Sequence, residues 1–422
     1  MEIIKLINYI IAVTFFICYS YQFFYVIVPF IWKSKPHKKP KLHKYAVLIA
    51  ARNEEAVIAQ LIESIKNQTY RSELIKIFVV ADNCTDNTAT KARLAGAMVW
   101  ERFNKQKIGK GYALDFLLEK IRQKYPHNKF DGYFVFDADN LLDENYIAEM
   151  NKTFSDGNRI ITSYRNSKNY DRNWISAGFS LWFLRESQYL NKSRYLLGTS
   201  CAVSGTGFLF HNDIIKKTKG WKFFLLTEDI EFTIHNVIDG EKIAYCETAI
   251  LYDEQPVKFS QSWAQRMRWA KGYVQVFKKY GAKLAKSVLT KRSFSCFDMA
   301  MNIMPAIVLS VLSGIINLGG AIYSLLLGGN IVYLLESVSE SILNIYLVLF
   351  LLGLITTITE WNRIYCSTAK KLLYTLTFPL FMFTYIPISI IALFIKVEWK
   401  QIHHIESKTL EDVRSVAKQF TA

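Results

Sequence analysis

Four short polar runs in this chain have side chains suited to the steps of a group transfer. Asp137 and Asp139 close the run GYFVFDAD, residues 132–139. Two carboxylates separated by one residue at a strand end can approach the same divalent cation. Mg²⁺ and Mn²⁺ take oxygen ligands and usually share them with phosphates. Such a cation offsets the charge of a leaving nucleoside diphosphate. An isolated Asp-X-Asp also suits a solvated turn. Thr227-Glu228-Asp229 precedes IEFTIHNVIDG, which has a helical pattern. Acids at that point suit a helix start. They also place Asp229 as a general base, since a hydroxyl is a poor nucleophile until a carboxylate accepts its proton. One base and direct displacement would invert the centre attacked.

The other two runs suit recognition. Asp82-Asn83-Cys84-Thr85-Asp86-Asn87 follows IKIFVVA (75–81). It reads as a polar turn with Thr85 or Asp86 capping the next helix. Asp82 in addition suits an acceptor for a base N–H. Gln265-Arg266-Met267-Arg268-Trp269 lies within SWAQRMRWAKGYVQVF, a helical pattern. Arginine binds diphosphate oxygens bidentately, and the Trp269 ring offers a face to a sugar. The same residues also suit the surface and core faces of an amphipathic helix.

Positioning these runs requires an α/β domain. YAVLIA (45–50), IKIFVVA, GAMVWE (96–101) and GYFVFDAD read as strands. RNEEAVIAQLIESIKNQ (52–68) reads as a helix, with Val57, Ile58, Leu61, Ile62 and Ile65 on one face. ALDFLLEKIRQKY (113–125) reads as another. Alternating strands and helices predict a sheet covered by helices. Apolar strands that end in acids predict a ligand site beyond their carboxyl ends.

The composition sets the surroundings. The chain is 51% hydrophobic, with the apolar residues concentrated near the N-terminus and after about residue 297, and its net charge is +16. A basic balance suggests a nucleic acid, a membrane surface or an anionic substrate. No zinc-finger spacing, RNP-type strand or basic zipper is present, so no nucleic-acid partner is expected. Cys18, Cys84, Cys201, Cys246, Cys296 and Cys366 occur singly. Their spacing fits neither disulfides nor zinc and suits a reducing cytosol.

Residues 3–32 are long and apolar enough to cross a bilayer, and KSKPHKKPKLHK follows them. By the positive-inside rule that flank is cytosolic. The expected divisions are an N-terminal transmembrane helix (1–32), a basic linker (33–44) and a cytosolic domain (45–280). After these come an interfacial helix (281–298), transmembrane segments (299–396) and a tail (397–422). The stretch 281–296 equally suits a plain connecting helix. Apolar segments at 299–328, 341–358 and 372–396 would, as full crossings, leave the tail outside. The tail nevertheless begins KVEWKQIHH, which reads as cytosolic or interfacial. A re-entrant hairpin at 372–396, interrupted by Pro379 and Pro387, would resolve the conflict.

Taken in order, ARNEE (51–55), DNCTDNT (82–88), GKGYAL (109–114), DAD (137–139), SGTGF (204–208), TED (227–229) and QRMRW (265–269) resemble one family. This is the family 2 inverting glycosyltransferases, and within it the membrane synthases of cellulose, chitin, hyaluronan and poly-N-acetylglucosamine. The resemblance covers about residues 44–280, and the QxxRW pattern is its most specific part. It implies an α/β GT-A (Rossmann-like) domain inserted between transmembrane helices, and a multi-pass protein of the plasma membrane. It implies that Glu54, Asp82, Lys110 and Asp137 contact the nucleotide-sugar and that Asp139 binds Mg²⁺ or Mn²⁺. Asp229 would be the base. Gly205, Gly207, Gln265, Arg268 and Trp269 would hold the acceptor and the diphosphate. The implied partners are a nucleotide-sugar donor, most simply a UDP-sugar, a glycan or lipid acceptor, and the bilayer. A translocation channel built from so few spans would need a second copy or a small membrane subunit. The resemblance favours extension of a β-linked polysaccharide, with single transfer to a glycolipid as the alternative. A non-catalytic scaffold would have no chemical need for these acids together.

Overall fold

The computed structural model describes residues 2–421 except 128–129, 327–330, 400–401, 403 and 405. A long apolar helix, α1 (Glu2–Ile31), precedes the sheet. Strands β1 (Tyr45–Ala51), β2 (Ile75–Asp82), β3 (Met98–Arg102), β4 (Gly132–Asp137), β5 (Leu141–Leu142), β6 (Ile160–Ser167), β7 (Phe208–His211) and β8 (Ile243–Asp253) follow. They form one mixed sheet in the order β3-β2-β1-β4-β7-β6-β8-β5. β1 to β4 are parallel to one another, and β7 runs antiparallel to both β4 and β6.

The register explains why acids collect at one edge. Ala51 pairs with Ala81, and Ala50 pairs with Asp137. Asp82 and Asp137 therefore end the two strands that flank β1. Strands covered on both faces must be apolar throughout until they emerge. The first polar residues after them consequently gather at the same rim.

The helices of this domain are α2 (Ile58–Lys66), α3 (Thr88–Leu94), α4 (Lys110–Lys124), α5 (Tyr146–Ser155), α6 (Trp174–Arg185), α7 (Lys192–Leu196), α8 (Asn212–Thr218), α9 (Glu228–Ile238) and α10 (Phe259–Lys291). On one face Leu114, Leu117 and Ile121 of α4 and Phe232 of α9 pack with Leu48, Phe78 and Val80. On the other, Ile58, Leu61 and Ile62 of α2 and Ile147 and Met150 of α5 pack with Val47, Ile49 and Phe134. The helix expected over 52–68 is shorter than its apolar pattern. Residues 52–57 form a turn in which Glu54 O accepts from Val57 N and Ile58 N, and Asn53 is left-handed at φ 55°. That turn leaves the Glu54 side chain at the rim.

Helices α11 (Phe294–Ile303), α12 (Pro305–Leu326), α13 (Ile331–Thr359), α14 (Thr368–Phe383), α15 (Tyr385–Phe394) and α16 (Leu410–Thr421) complete the chain. Among the described residues, Tyr9–Ile31, Ser339–Thr359 and Thr368–Phe394 are long and apolar enough to cross a membrane. The expected segment 299–328 divides between α11 and α12, and residues 327 and 328 lie outside the described residues. The stretch 281–298 is shared between α10 and α11. α10 continues to Lys291 and stops at Arg292, which is left-handed at φ 49°.

One buried carboxylate joins α1 to the sheet domain. Asp298 of α11 accepts two hydrogen bonds from Arg194 of α7, both 2.8 Å long. It also accepts one from the Tyr21 hydroxyl (2.8 Å) and one from the Tyr25 hydroxyl (2.9 Å) of α1. Arg194 and Asp298 are 1% and 0% exposed, so neither charge has water to fall back on. A bidentate arginine pair with its remaining lone pairs filled is the geometry that offsets desolvation.

The last apolar stretch meets the sheet domain along its whole length. Near its start, Lys370 Nζ donates to Asp171 O (2.8 Å). At the break between α14 and α15, Arg266 Nη1 donates to Phe381 O (3.3 Å) and Thr384 Oγ1 (2.5 Å). Near its end, Lys271 Nζ donates to Ala392 O (3.0 Å). Both ends of the stretch thus touch the sheet domain.

Replacing Asp298 with Ala is expected to cost about 3–5 kcal/mol, because it strands the Arg194 charge in an apolar setting. Thermal unfolding in nanodiscs measures it. A midpoint within about a degree of wild type would show that the pair is not the joint described here.

Candidate active site

The strand rim opens into one cavity, lined by Glu54, Asp82, Lys110, Asp137, Asp139, Gly205, Asp229, Gln265, Arg268 and Trp269 among others. Ten of the eleven residues singled out in the sequence therefore share a single space. Gly207 is the exception and does not line it. A Cβ at Gly207 would sit 1.9 Å from Leu251 Cδ2 and 2.7 Å from Ser163 Oγ, behind the loop. Its φ of +66° shows its part, which is to let the SGTG loop turn.

Each side chain is held by its element. Lys110 is the first residue of α4, after Gly109, and its Nζ donates to Asp137 Oδ1 (2.5 Å) and Gly205 O (2.7 Å). It fastens the end of β4 to the SGTG loop. Burial works against its charge, but Asp137, Glu228 and Asp229 outweigh it and raise its pKa. Asp82 is ion-paired with Arg102, the residue opposite it in β3. Burial nonetheless raises the Asp82 pKa. In the turn beyond it, Asp86 Oδ1 accepts from Thr88 N (3.0 Å), and Thr85 N donates to Asn53 Oδ1 (2.7 Å). Asp86, rather than Thr85, satisfies the start of α3.

Asp229 lies in the first turn of α9, where free amides and the helix dipole favour an anion. Its Oδ2 accepts from Gly205 N at 2.6 Å. Burial raises its pKa, although amide hydrogen bonds and Lys110 oppose that. Beside it, burial and the Asp229 charge push Glu228 up to about 7. From α10, Arg268 Nη1 donates to Leu226 O (3.0 Å), and Trp269 stands edge-on to Phe179 and Phe183.

A segment that the sequence reading did not assign to the site also enters it. Trp399, Ile402 and His404 of the tail line the cavity. His404 Nδ1 lies 2.9 Å from Glu54 Oε2, and its Nε2 lies 4.0 Å from Asp139 Oδ2. Burial works against charge on this imidazole, but Asp139, Glu54 and Glu254 outweigh it and lift its pKa to about 10. Trp399 lies under Arg52, 4.9 Å from ring centroid to guanidinium. Beyond the cavity, Glu406 pairs with Arg172 (2.6 Å), and Arg414 pairs with Glu144 (2.6 Å) and Asp143 (3.1 Å). Lys400, Gln401 and His403, read in the sequence as part of a basic tail, lie outside the described residues. The only sequence signal for this segment was Trp and His among basic residues after the last apolar stretch.

Among the described residues the cavity wall carries nine carboxylates, against four Lys and Arg side chains and His404. A nucleoside diphosphate alone would meet net repulsion there. Among the described residues no three His, Cys, Asp or Glu side chains are grouped to hold a metal by themselves. Asp137 and Asp139 instead offer oxygen ligands for a hard divalent cation that completes its shell with phosphates. The wall therefore fits Mg²⁺ or Mn²⁺ arriving with a diphosphate.

Residues 41–272 match the family described as glycosyltransferase like family 2. The chain belongs to that family. Among relatives of this family member, a probable glycosyltransferase, YdaM, of Bacillus subtilis (strain 168) is 27% identical over 64% of the chain and 63% of its own length. The beta-monoglucosyldiacylglycerol synthase of Nostoc sp. (strain PCC 7120) is 25% identical over 62% of the chain and 56% of its own. The poly-beta-1,6-N-acetyl-D-glucosamine synthase of Staphylococcus aureus (strain COL) is 23% identical over 56% of the chain and 57% of its own. The chain thus spans rather less than two thirds of these relatives. A mannosyltransferase of Pyrobaculum calidifontis, solved with GDP-Man and Mn²⁺, shares the fold. Its TM-score is 0.55 at 13% identity, over 90% of this chain and 98% of that one. The expected fold class, a GT-A (Rossmann-like) mixed sheet flanked by apolar helices, is the one observed.

Gly207→Ala is expected to displace the SGTG loop and destabilise this family member by about 1–3 kcal/mol. Differential scanning fluorimetry reads this as a melting point lower by several degrees, roughly 2–4 °C per kcal/mol. An unchanged melting point would mean that the loop tolerates a Cβ there.

Proposed function

We propose that this chain is a membrane-embedded inverting glycosyltransferase whose sheet domain faces the cytosol. It transfers a sugar from a nucleotide-sugar, most simply a UDP-sugar, to a growing β-linked polysaccharide. The observation that carries the reading is the cavity itself. It brings a half-buried carboxylate, Asp229, into the same space as the strand-end acids and the QxxRW side chains.

In this reading Glu54 and Asp82 face the base and ribose of the donor, and Asp137 and Lys110 face its phosphates. Asp139 and Asp137 would hold the divalent cation, which neutralises the leaving diphosphate when bound. Arg268 adds positive charge on the opposite wall. Asp229 accepts the proton of the acceptor hydroxyl as that oxygen attacks the anomeric carbon. The Gly205 amide and the start of α9 hold the Asp229 carboxylate in place. With one base and no nucleophile forming a covalent intermediate, the anomeric centre inverts. Tyr9–Ile31 and Ser339–Thr359 cross the bilayer. Thr368–Phe394, attached to the sheet domain along its length, enters and returns on the cytosolic side.

Product sizing tests the reading. The protein in nanodiscs is given labelled UDP-glucose, UDP-N-acetylglucosamine or UDP-galactose with Mg²⁺ or Mn²⁺. Long polymer from one donor supports it. A single sugar on a lipid would favour glycolipid synthesis instead, and no turnover of any donor would remove the enzyme reading.

Asp229→Asn should lower transfer about 100-fold or more while donor binding survives. Substantial turnover in that variant would exclude Asp229 as the base. Transfer needs the ionised Asp229 carboxylate, and burial raises its pKa, so activity is lost as pH falls through that raised value. The acid limb of a kcat/KM profile should therefore lie above the ordinary aspartate range of about 4. Excess chelator, or Asp139→Ala, should abolish or weaken donor binding measured calorimetrically. Unchanged binding in chelator would remove the cation.

A further inference from the structure

The cavity also holds polar groups that the donor chemistry leaves unused. Glu186 opens the π-helical turn Glu186–Asn191 between α6 and α7, and its side chain lines the cavity. Such turns insert an extra residue into a helix and recur at functional sites. Trp182, one helical turn earlier, lines the same cavity. Among the described residues Glu186 has no ion-pair partner, and Ser204 Oγ donates to its Oε2 at 3.3 Å. The next residue, Gly205, gives its amide to Asp229. Adjacent residues of one loop thus hold the two carboxylates.

Thr227 and Gln265 line the same cavity. Thr227 Oγ1 and Gln265 Oε1 are themselves closed to solvent, the Thr227 side chain lying against Gly272 of α10. Tyr273 lies in the same wall. Burial, Glu186 and Asp229 all raise its pKa, in keeping with both carboxylates lying near its hydroxyl. The Trp182 and Trp269 rings supply apolar faces.

Ring faces beside hydrogen-bonding side chains such as Glu186 and Tyr273 match a pyranose, which has an apolar C–H face and hydroxyls around its edge. A diacylglycerol has one hydroxyl and no such face. We propose that Glu186 is an acceptor-binding residue, taking a hydrogen bond from a hydroxyl next to the one that faces Asp229, so that the site selects a saccharide acceptor. The proposal rests on the reading of Asp229 as the base.

The test is isothermal titration of the full chain in nanodiscs, loaded with UDP and Mg²⁺, with cellotriose and with chitotriose. At least one trisaccharide should bind the wild type. Glu186→Ala should weaken that binding about 10- to 100-fold, as loss of a hydrogen bond to a charged group does. Glu186→Gln, which keeps an accepting oxygen, should lose less. UDP affinity should be unchanged in both variants, which also shows that the site is folded. Equal trisaccharide binding in wild type and Glu186→Ala would overturn the proposal. So would absence of trisaccharide binding to wild type, with or without label transfer to 1,2-dioctanoylglycerol, and so would a parallel loss of UDP affinity in Glu186→Ala. If UDP itself fails to bind the wild type, the glycosyltransferase reading falls, which is a result distinct from any outcome at Glu186.

Discussion

Like charge in a confined space is the constraint around which the site is arranged. Nine carboxylates face one cavity in a chain whose net charge is +16. Left uncompensated, such a group would protonate or push its walls apart. The fold answers with cations from distant parts of the chain. Lys110 comes from the start of α4, Arg165 from β6, Arg268 from α10 and His404 from the tail. Arg165 is ion-paired with Asp253, the last residue of β8. These contacts also fix the geometry, since each brings together two elements that carry site residues. The remaining negative charge suits an anionic ligand that arrives together with a cation. Charge compensation and ligand chemistry are therefore one problem in this cavity.

The same principle joins the apolar helices to the sheet domain. Apolar helices give little directional grip on a soluble domain, because lipid and apolar protein surface are nearly equivalent neighbours. Asp298 provides direction. Its carboxylate collects Arg194 from the sheet domain and Tyr21 and Tyr25 from α1. Arg266 does the corresponding work for α14 and α15. Its guanidinium lies against the Phe381 and Tyr385 rings and donates to Thr384 where the two helices break. Within QRMRW the two arginines thus divide their tasks. Arg268 faces the cavity, and Arg266 faces the apolar helices.

How much of this could be read from the sequence depended on how local each feature is. Of the eight strands, β1 to β4 were legible; β1, β2 and β4 are apolar and largely buried, and β2 and β4 end in acids. Asp82, Asp137 and Asp139 followed from that ending, and Asp229 from the polar start of a helix. Residues 52–57 were misread because Val57 and Ile58 continue an apolar period, while the left-handed Asn53 that breaks it has no periodic signature. Gly207 was assigned to the wall because a glycine's role depends on its φ and on the facing side chain, here Leu251. His404 was not assigned at all. It meets Glu54 across 350 residues, and no local pattern announces a contact of that range. Glu186 was hidden differently, since LWFLRESQYLNKSRYL reads as an ordinary helix and the π-helical turn has no mark in composition.

The tail shows why charge counting along an apolar chain needs the fold beside it. Counting every apolar segment as a crossing sends the tail outside, and the positive-inside rule argues against that. In the structure Thr368–Phe394 is attached to the sheet domain at Asp171, Arg266 and Lys271. Length and apolarity allow a crossing but do not require one, and these polar contacts are what favour the re-entrant arrangement proposed above for this segment. The consequence reaches the chemistry, because the contacts that hold the end of this segment to the sheet domain accompany the placing of His404 beside Glu54 and Asp139.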